Sequence, residues 1–392
     1  MAYPQEPPLD LLVLQGSAFC NIACRYCYVR GRDDATRMSD RVLDAIGRNV
    51  LASRWAPDTL SVAWHAGEPL ALPPAWLDAA CARLEAGARS GQRLRFGVQT
   101  NAMPVNDAWI DLFRRRDFSI GVSIDGPRDL HDANRVDRRG TGTFDRTMAG
   151  IARLRDADLP FDVIAVLSHR SLGEPDRLFD FFAELGARSV GFNIEEIEGP
   201  HTQSSLDRPE VDMRYRNFLQ DFVSRHRAAG EPFRLRALEQ VRAAAGKAGA
   251  ERGNTPHRPL SILTIAQDGG MSTFCPELIG TPDRQYGDFT FGNVIEGGPE
   301  ALLRNVAFRR LRRDIEAGRR RCARTCGYYD LCRGGAPGNK YFETGRFDVD
   351  ETLYCRLTVK QTVEAVLAAH ESRSAVHRPV AGCHGGLQGD AA

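Results

Sequence analysis

The first half of the chain alternates between short apolar runs and longer amphipathic stretches, and this rhythm restricts the fold more than any other feature. The apolar runs have the length of strands, and they are Leu9–Gln15, Thr59–His65, Leu94–Thr100, Phe118–Asp125, Phe161–Ser168 and Ser189–Ile197. The stretches between them have the length of helices, and they are Ser39–Ser53, Pro74–Ala88, Asn106–Arg115, Thr143–Ala157 and Glu174–Leu185. Ser39 and Thr143 are expected to act as N-caps. Repeated strand–helix units of this kind predict a parallel sheet covered by helices.

Polar residues follow most of these runs, which favours an open (β/α)6 barrel over other parallel sheets. In such a barrel the functional site lies at the carboxyl ends of the strands, where the polar residues would meet. Periodicity alone leaves a flat, doubly wound sheet open as the alternative.

Composition excludes several classes of function. The chain has 392 residues and a formal net charge of +1, so its overall charge favours neither a nucleic acid nor a membrane as partner. No apolar run approaches the roughly 18 residues of a membrane span, and the N-terminus has no signal-like segment. A cytoplasmic location is therefore expected. In that reducing compartment the ten cysteines are metal ligands or free thiols rather than disulfides.

Three cysteines lie within eight residues just after the first apolar run. Cys20, Cys24 and Cys27 have the spacing C-x3-C-x2-C, which can direct three thiolates to one point. Soft thiolates held this closely favour an iron–sulfur cluster or zinc. A structural zinc site normally has four protein ligands, and the first further candidates, His65 and Cys81, are far along the chain. Three ligands would leave one iron of a four-iron cluster open to a small molecule.

This triplet, with Tyr26 before its last cysteine, resembles the radical SAM enzymes. The resemblance implies a [4Fe–4S] cluster on Cys20, Cys24 and Cys27 whose open iron binds S-adenosylmethionine (SAM). Reductive cleavage of SAM then gives a radical that removes hydrogen from unactivated C–H bonds.

The residues after the predicted strands resemble the family's SAM-binding motifs. Gly67, Glu68 and Pro69 look like its GGEP motif, with Ala66 in place of the first glycine, and Glu68 would meet the SAM ammonium. Arg135 would pair with the SAM carboxylate, and Ser123 and Asp125 with the ribose. The cofactor-binding set implied by the resemblance is Tyr26, Gly67, Glu68, Pro69, Thr100, Asn101, Ser123, Asp125 and Arg135.

A second cysteine group lies near the C-terminus. Cys322, Cys326, Cys332 and Cys355 make a complete set of four thiolates, which suits a closed [4Fe–4S] cluster or, alternatively, zinc. The segment resembles the SPASM extension of radical SAM peptide maturases, which often carries two auxiliary clusters. Here one cluster keeps all four ligands and the other keeps Cys275 alone. One auxiliary cluster is therefore predicted, and a second, shared by Cys275 and Cys383, is the less favoured alternative.

The run from Cys332 to Leu357 resembles the cyclophane-forming maturases among the SPASM proteins. These enzymes join an aromatic ring to the β-carbon of a residue two positions further along a ribosomally made precursor peptide. The resemblance implies a precursor peptide and a small electron donor, such as a flavodoxin or ferredoxin, as partners. Carboxylates that could accept the ring proton are Glu195 or Glu196, which alternation points to opposite faces, and Glu277.

Three other functions compete with crosslinking: a different radical modification of a peptide (epimerisation, thioether formation, or oxidation of Ser or Cys), a non-catalytic iron–sulfur electron carrier, and a zinc-binding interaction module. The expected domains are a barrel over 1–205, a helical bridge over 206–254, a SPASM-like domain over 255–366 and a flexible tail over 367–392. Helices are expected over Ala301–Arg313 and about Glu351–Glu371.

Overall fold

One sheet of ten strands forms the centre of the molecule. The computed structural model describes residues 9–246 and 257–376. The strands are β1 (Leu11–Leu14), β2 (Thr59–Trp64), β3 (Arg93–Thr100), β4 (Ser119–Ser123), β5 (Phe161–Leu167), β6 (Ser189–Ile194), β7 (Arg234–Leu235), β8 (Ile262–Ile265), β9 (Gly270–Thr273) and β10 (Gly292–Asn293). All six apolar runs of the first half are strands, and each begins or ends within a few residues of its expected bound.

The strand order confirms the partial barrel. Strands β1 to β6 lie side by side in chain order, and each pairs in parallel with the next. A doubly wound sheet requires the order to reverse at a switch point. The order never reverses along β1 to β6, so the flat alternative is wrong. The carboxyl ends of the six strands therefore face one mouth.

Helices cover the outside of the sheet. They are α1 (Asp40–Ile46), α2 (Pro74–Gly87), α3 (Asp107–Arg116), α4 (Arg128–Asn134), α5 (Phe144–Asp156), α6 (Pro175–Leu185), α7 (Val211–Ala228), α8 (Arg236–Gly246), α9 (Glu300–Arg304), α10 (Val306–Thr325), α11 (Tyr329–Cys332), α12 (Pro337–Thr344), α13 (Leu353–Cys355) and α14 (Thr362–Val376). Two π-helical turns continue α1 over Gly47–Leu51 and α13 over Arg356–Gln361.

The two predicted N-caps behave differently. The Ser39 side chain accepts a hydrogen bond from the backbone N–H of Val42, as an N-cap should. Thr143 precedes α5 but makes no capping bond, because its hydroxyl donates to the backbone oxygen of Arg135 and contacts the His131 ring. Thr143 thus stands at the predicted N-cap position, but its hydroxyl binds the residues at the end of α4 and not the first turn of α5.

The sheet continues across both expected domain boundaries. β8 pairs in parallel with β1, and β9 and β10 follow it in antiparallel fashion. At the other edge β7, within the expected helical bridge, pairs in parallel with β6. An exposed strand edge is a liability, and these later segments cover both edges of the six-stranded barrel.

The helices after residue 300 also differ from expectation. The single helix expected over Ala301–Arg313 is two helices, because Asn305 is extended and its side chain caps α10, which runs on to Thr325. The last helix ends at Val376 rather than near Glu371, so it occupies the start of the expected tail. In the two described ranges no helix combines the length and apolar character needed to cross a membrane.

Candidate active site

The N-terminal cysteine loop is held against the segment that follows α4. The backbone N–H groups of Ala23 and Arg25 donate to the backbone oxygens of Val136 and Asn134 at 2.7 and 2.9 Å. The Arg138 guanidinium donates to the backbone oxygen of Cys20 at 2.7 Å. Cys20 and Cys24 are buried and Cys27 is partly buried. Burial raises the pKa of the Cys24 thiol to about 11. The buried thiolate is therefore unfavourable on its own, and binding to iron would offset that penalty.

The turn after β2 packs directly on this loop. Gly67 has a φ of +57°, and a Cβ there would lie 2.3 Å from the backbone oxygen of Phe19, so only glycine fits. Ala66, which replaces the first glycine of the expected motif, keeps a glycine-like φ of 72°. A left-handed conformation costs a non-glycine residue about 1–2 kcal/mol. The backbone geometry of the motif is thus retained at the expense of some strain.

Glu68 joins the ends of β2 and β3. Its carboxylate accepts hydrogen bonds from the Thr100 hydroxyl at 2.6 Å and from the backbone N–H groups of Asn101 and Leu70 at 2.7 and 2.9 Å. Burial raises the pKa of Glu68 to about 7, although these hydrogen bonds lower it. A carboxylate has about four acceptor positions, so one remains for a ligand.

Asp125 is buried and does not line the cavity. It is 1% exposed, and its carboxylate accepts from the Tyr26 hydroxyl at 2.5 Å, from Arg135 Nε at 3.0 Å and from the Val166 backbone at 3.0 Å. The carboxylate has no free face toward the cavity, so the structure does not support a ribose contact. Instead it fixes Tyr26 and the Arg135 guanidinium beside Cys24, whose Sγ lies 3.9 Å from Arg135 Nη1.

These groups line one cavity of about 380 Å³ at the mouth of the barrel. The expected residues that line it are Cys20, Cys24, Tyr26, Cys27, Gly67, Glu68, Thr100, Asn101, Ser123, Arg135, Glu196, Cys275 and Glu277. Pro69, Asp125 and Glu195 do not line it. Pro69 begins a short 3-10 turn behind Glu68. Residues from five strand ends and from the C-terminal segment therefore converge on the three thiols.

Three carboxylates line the same cavity. They belong to Glu196 and Glu198 after β6 and to Glu277 after β9. Burial is the main reason why the pKa of all three carboxyls is raised, and the pKa of Glu196 reaches about 7. The negative charge of Glu277 raises the pKa values of Glu196 and Glu198 further. The Asn339 amide donates to Glu196 and, at 3.4 Å, to Glu198. Raised pKa values suit groups that accept and release a proton near neutral pH.

Glu195 points away, as alternation with Glu196 predicts. It is 8% exposed, accepts hydrogen bonds from the Ser205 hydroxyl and backbone N–H, and contacts the His201 ring at 3.2 Å. Its proposed role as a base therefore has no support in the structure. Cys275 faces the cavity, where the Gly338 backbone N–H donates to its Sγ at 3.3 Å. Among the described residues, the cysteines that share its cavity are those of the N-terminal loop. Cys383, its suggested companion in a second cluster, lies outside the described residues.

The four C-terminal cysteines line a separate, smaller cavity of about 20 Å³. Cys322, Cys326, Cys332 and Cys355 all border it, which fits a closed cluster with four ligands. In residues 9–246 and 257–376 no group of three or more His, Cys, Asp or Glu side chains is arranged to hold a single metal ion.

Sequence reasoning missed several cavity residues. Glu198 could have been found, because it is two residues after Glu196 and alternation places both on one face. Tyr28 and His65 also line the cavity, and the Tyr28 hydroxyl lies 3.3 Å from His65 Nε2. Burial lowers the pKa of His65 to about 4, so it is a neutral group there. No spacing signal marks Asn339, which reaches the site through the packing of α12.

Residues 14–196 match the family model of the Radical SAM superfamily. An uncharacterized protein of Synechocystis sp. is 37% identical over 368 residues, which cover 93% of this chain and 92% of that protein. The serine-type anaerobic sulfatase-maturating enzyme of Klebsiella aerogenes is 31% identical over 201 residues, or 50% of each chain. The match thus spans about half the length of that enzyme.

Two solved structures share the fold. The structure of native anSMEcpe with bound AdoMet and a Cp18Cys peptide has a TM-score of 0.75 and 20% identity, and the match covers 94% of this chain and 100% of the other. Streptococcus suis SuiB bound to its precursor peptide SuiA has a TM-score of 0.63 and 15% identity, with 88% and 76% covered. At these identities the likeness concerns the fold.

Proposed function

Because this chain belongs to the radical SAM superfamily, we propose that it is an enzyme that matures a ribosomally made peptide by joining an aromatic ring to a β-carbon. The observation that carries the proposal is one cavity lined by three thiols and three carboxylates, next to a four-cysteine site with which it shares lining residues. Crosslinking to a ring needs these functions together: hydrogen removal, proton acceptance and electron acceptance.

The N-terminal half of the cavity fits SAM and an open cluster. When bound, they supply a radical that removes a hydrogen atom from the substrate. Cys20, Cys24 and Cys27 would hold the cluster. Arg135, kept in place by Asp125, would bind the SAM carboxylate, and the remaining acceptor position of Glu68 would take the SAM ammonium. The Arg135 guanidinium carbon lies over the Tyr26 ring, 5.5 Å from the ring centroid. Tyr26 would therefore bound the part of the cavity that SAM occupies.

The three carboxylates of the cavity would complete the reaction. After the β-carbon has joined the ring, the ring must lose one electron and one proton to become aromatic again. Glu196, Glu198 and Glu277 line the cavity that a peptide side chain would enter. Their raised pKa values suit a proton acceptor. The four-cysteine site would take the electron.

The related protein and the shared folds support a peptide as substrate. The Klebsiella aerogenes relative is a sulfatase-maturating enzyme, and the two solved structures of the same fold bind peptides. The same comparisons favour a second candidate, the oxidation of a Ser or Cys side chain in a protein substrate. That reaction needs the same cavity, so the product must decide.

The test is co-expression with candidate precursor peptides, beginning with a short reading frame beside this gene, followed by fragmentation mass spectrometry. Crosslinking removes two hydrogens and suppresses fragmentation between the aromatic residue and the residue two positions further on. A hydrazide probe should stay unreactive with this product. A fully fragmenting, hydrazide-reactive product would establish side-chain oxidation instead, and a peptide changed only in stereochemistry would establish epimerisation.

A further inference from the structure

A lysine is buried beside the four-cysteine cavity. Lys340, in α12, is 7% exposed, lines that cavity and donates from Nζ to Cys322 Sγ at 3.3 Å. None of the ion pairs found within the described ranges gives it a carboxylate partner. Burying an ammonium without an opposite charge costs several kcal/mol. The environment of Lys340 therefore calls for an anionic neighbour inside the cavity.

The chemistry of the cavity supplies that neighbour. Four thiolates on a [4Fe–4S] cluster give a net negative charge, and each added electron makes it more negative. A buried cation near a ligand sulfur stabilises the reduced form more than the oxidised form, because the attraction grows with the negative charge. Hydrogen bonds and charge around the sulfurs are among the factors that set the potential of such clusters.

The same turn of α12 also contacts the reaction cavity. Its successive residues Gly338, Asn339 and Lys340 touch Cys275, Glu196 and Cys322 respectively. Tyr354 and Asn339 line both cavities. The proposed proton acceptor and the four-cysteine site are therefore joined by adjacent residues of one helix.

We propose that Lys340 raises the reduction potential of a [4Fe–4S] cluster on Cys322, Cys326, Cys332 and Cys355, and so fits that cluster to accept the electron from the crosslinked ring. The inference rests on the proposed function. In the step concerned, the new C–C bond is already formed and the ring C–H bond breaks. Cys322, Cys326, Cys332 and Cys355 would hold the oxidised cluster that takes up this one electron, and Glu196, Glu198 or Glu277 would accept the proton.

The test measures the potential of that cluster alone. In full-length protein with Cys20, Cys24 and Cys27 changed to Ala, the four-cysteine cluster is reconstituted and titrated while its EPR signal is followed. K340M should lower the equilibrium constant for reduction about tenfold, which is about 59 mV for one electron. K340R, which keeps the charge, should stay within about threefold of the parent.

Lys360 offers a matched control. It also lines the four-cysteine cavity, but it is more exposed and pairs with Glu351. K360M should therefore change the constant less than threefold. An unchanged potential in K340M at equal iron content would overturn the proposal. So would loss of the iron in both K340M and K340Q, since Lys340 would then serve only to assemble the site.

Activity gives a separate readout. With the N-terminal cysteines intact, K340M should lower the ratio of crosslinked peptide to 5′-deoxyadenosine at least fivefold, while K360M should leave it unchanged. The potential is measured without peptide, so the two proposals fail separately. If wild-type protein makes no crosslink, the proposed function falls and the measured role of Lys340 in the cluster remains.

Discussion

The two cysteine sites of this molecule differ in the number of thiols and in the space around them. At the barrel mouth three thiols border a cavity of about 380 Å³ that also holds an arginine and several carboxylates. In the C-terminal segment four thiols border a cavity of about 20 Å³ with a buried lysine. The first has room for a cofactor and a peptide side chain. The second is far smaller, and four thiols instead of three border it.

Under the proposed function, this difference gives the two sites different parts of one reaction. An incomplete ligand set beside a large cavity suits bond cleavage, because a reactant can reach the metal. A complete ligand set in a closed cavity suits electron transfer, because the metal needs no exchange of ligands. Variants at each site can therefore separate the two roles.

The largest effect is expected at the open site. C24A removes one of three ligands from a set that has no spare, so SAM cleavage should fall below detection, and product with it. The measurement is 5′-deoxyadenosine by liquid chromatography after anaerobic reconstitution and reduction. The control is C81A, because Cys81 is a buried thiol in α2 remote from both cavities. Undiminished SAM cleavage in C24A would remove the role given to the open site.

At the closed site the same type of change should separate the two activities. C326A should leave SAM cleavage within about threefold of wild type, since the three N-terminal thiols are intact. Crosslinked peptide should fall at least tenfold, because the ring electron has no acceptor. Both products are quantified in the same reaction, and iron content verifies the loss of one cluster. Normal amounts of crosslink in C326A would refute the electron-transfer role.

Sequence patterns predicted most residues of the open site because that site lies at the ends of parallel strands. The βα rhythm placed six strands correctly, and parallel strands in chain order bring their ends together whatever the details of packing. Glu68, Thr100 and Ser123 reach one cavity for that reason. The exceptions depend on side-chain direction. Asp125 turns into the protein toward Arg135, and a ribose contact could not be excluded from its position in the chain alone.

The contacts that α12 makes with both sites could not be predicted from the sequence. Lys340 and Asn339 lie in a Gly-rich run that reads as a turn, and their contacts with Cys322 and Glu196 span 18 and 143 residues. Such contacts follow from how α12 packs between the two cavities. No local periodicity encodes them. The pairing of β8 with β1 was missed for the same reason, since it joins segments some 250 residues apart.

A smaller effect on the open site should follow from D125N. Asp125 and Arg135 form a buried ion pair, with side chains 2% and 8% exposed, and removing one charge leaves the other uncompensated. Breaking a buried pair costs about 3 kcal/mol, so D125N should unfold at clearly lower denaturant concentration. SAM cleavage should also fall about tenfold, since Arg135 would lose its orientation.

The control is the exposed pair of Arg128 and Asp145, whose side chains are 56% and 74% exposed. D145N should cost less than about 1 kcal/mol, because solvent screens such pairs. Equal unfolding of D125N and wild type would show that the pair adds no net stability, and unchanged SAM cleavage would show that Asp125 does not orient the arginine.

The smallest effect is expected on the dependence of product formation on pH. Burial, and then the charge of Glu277, raises the pKa of Glu196 to about 7. A base accepts a proton only when ionised, so the ratio of crosslink to 5′-deoxyadenosine should rise about tenfold from pH 6 to pH 8.

In E196Q that rise should disappear and the ratio at pH 8 should fall severalfold. E184Q, on the exposed face of α6, should retain the rise. A pH profile that is the same in E196Q and wild type would move the proton to Glu198 or Glu277.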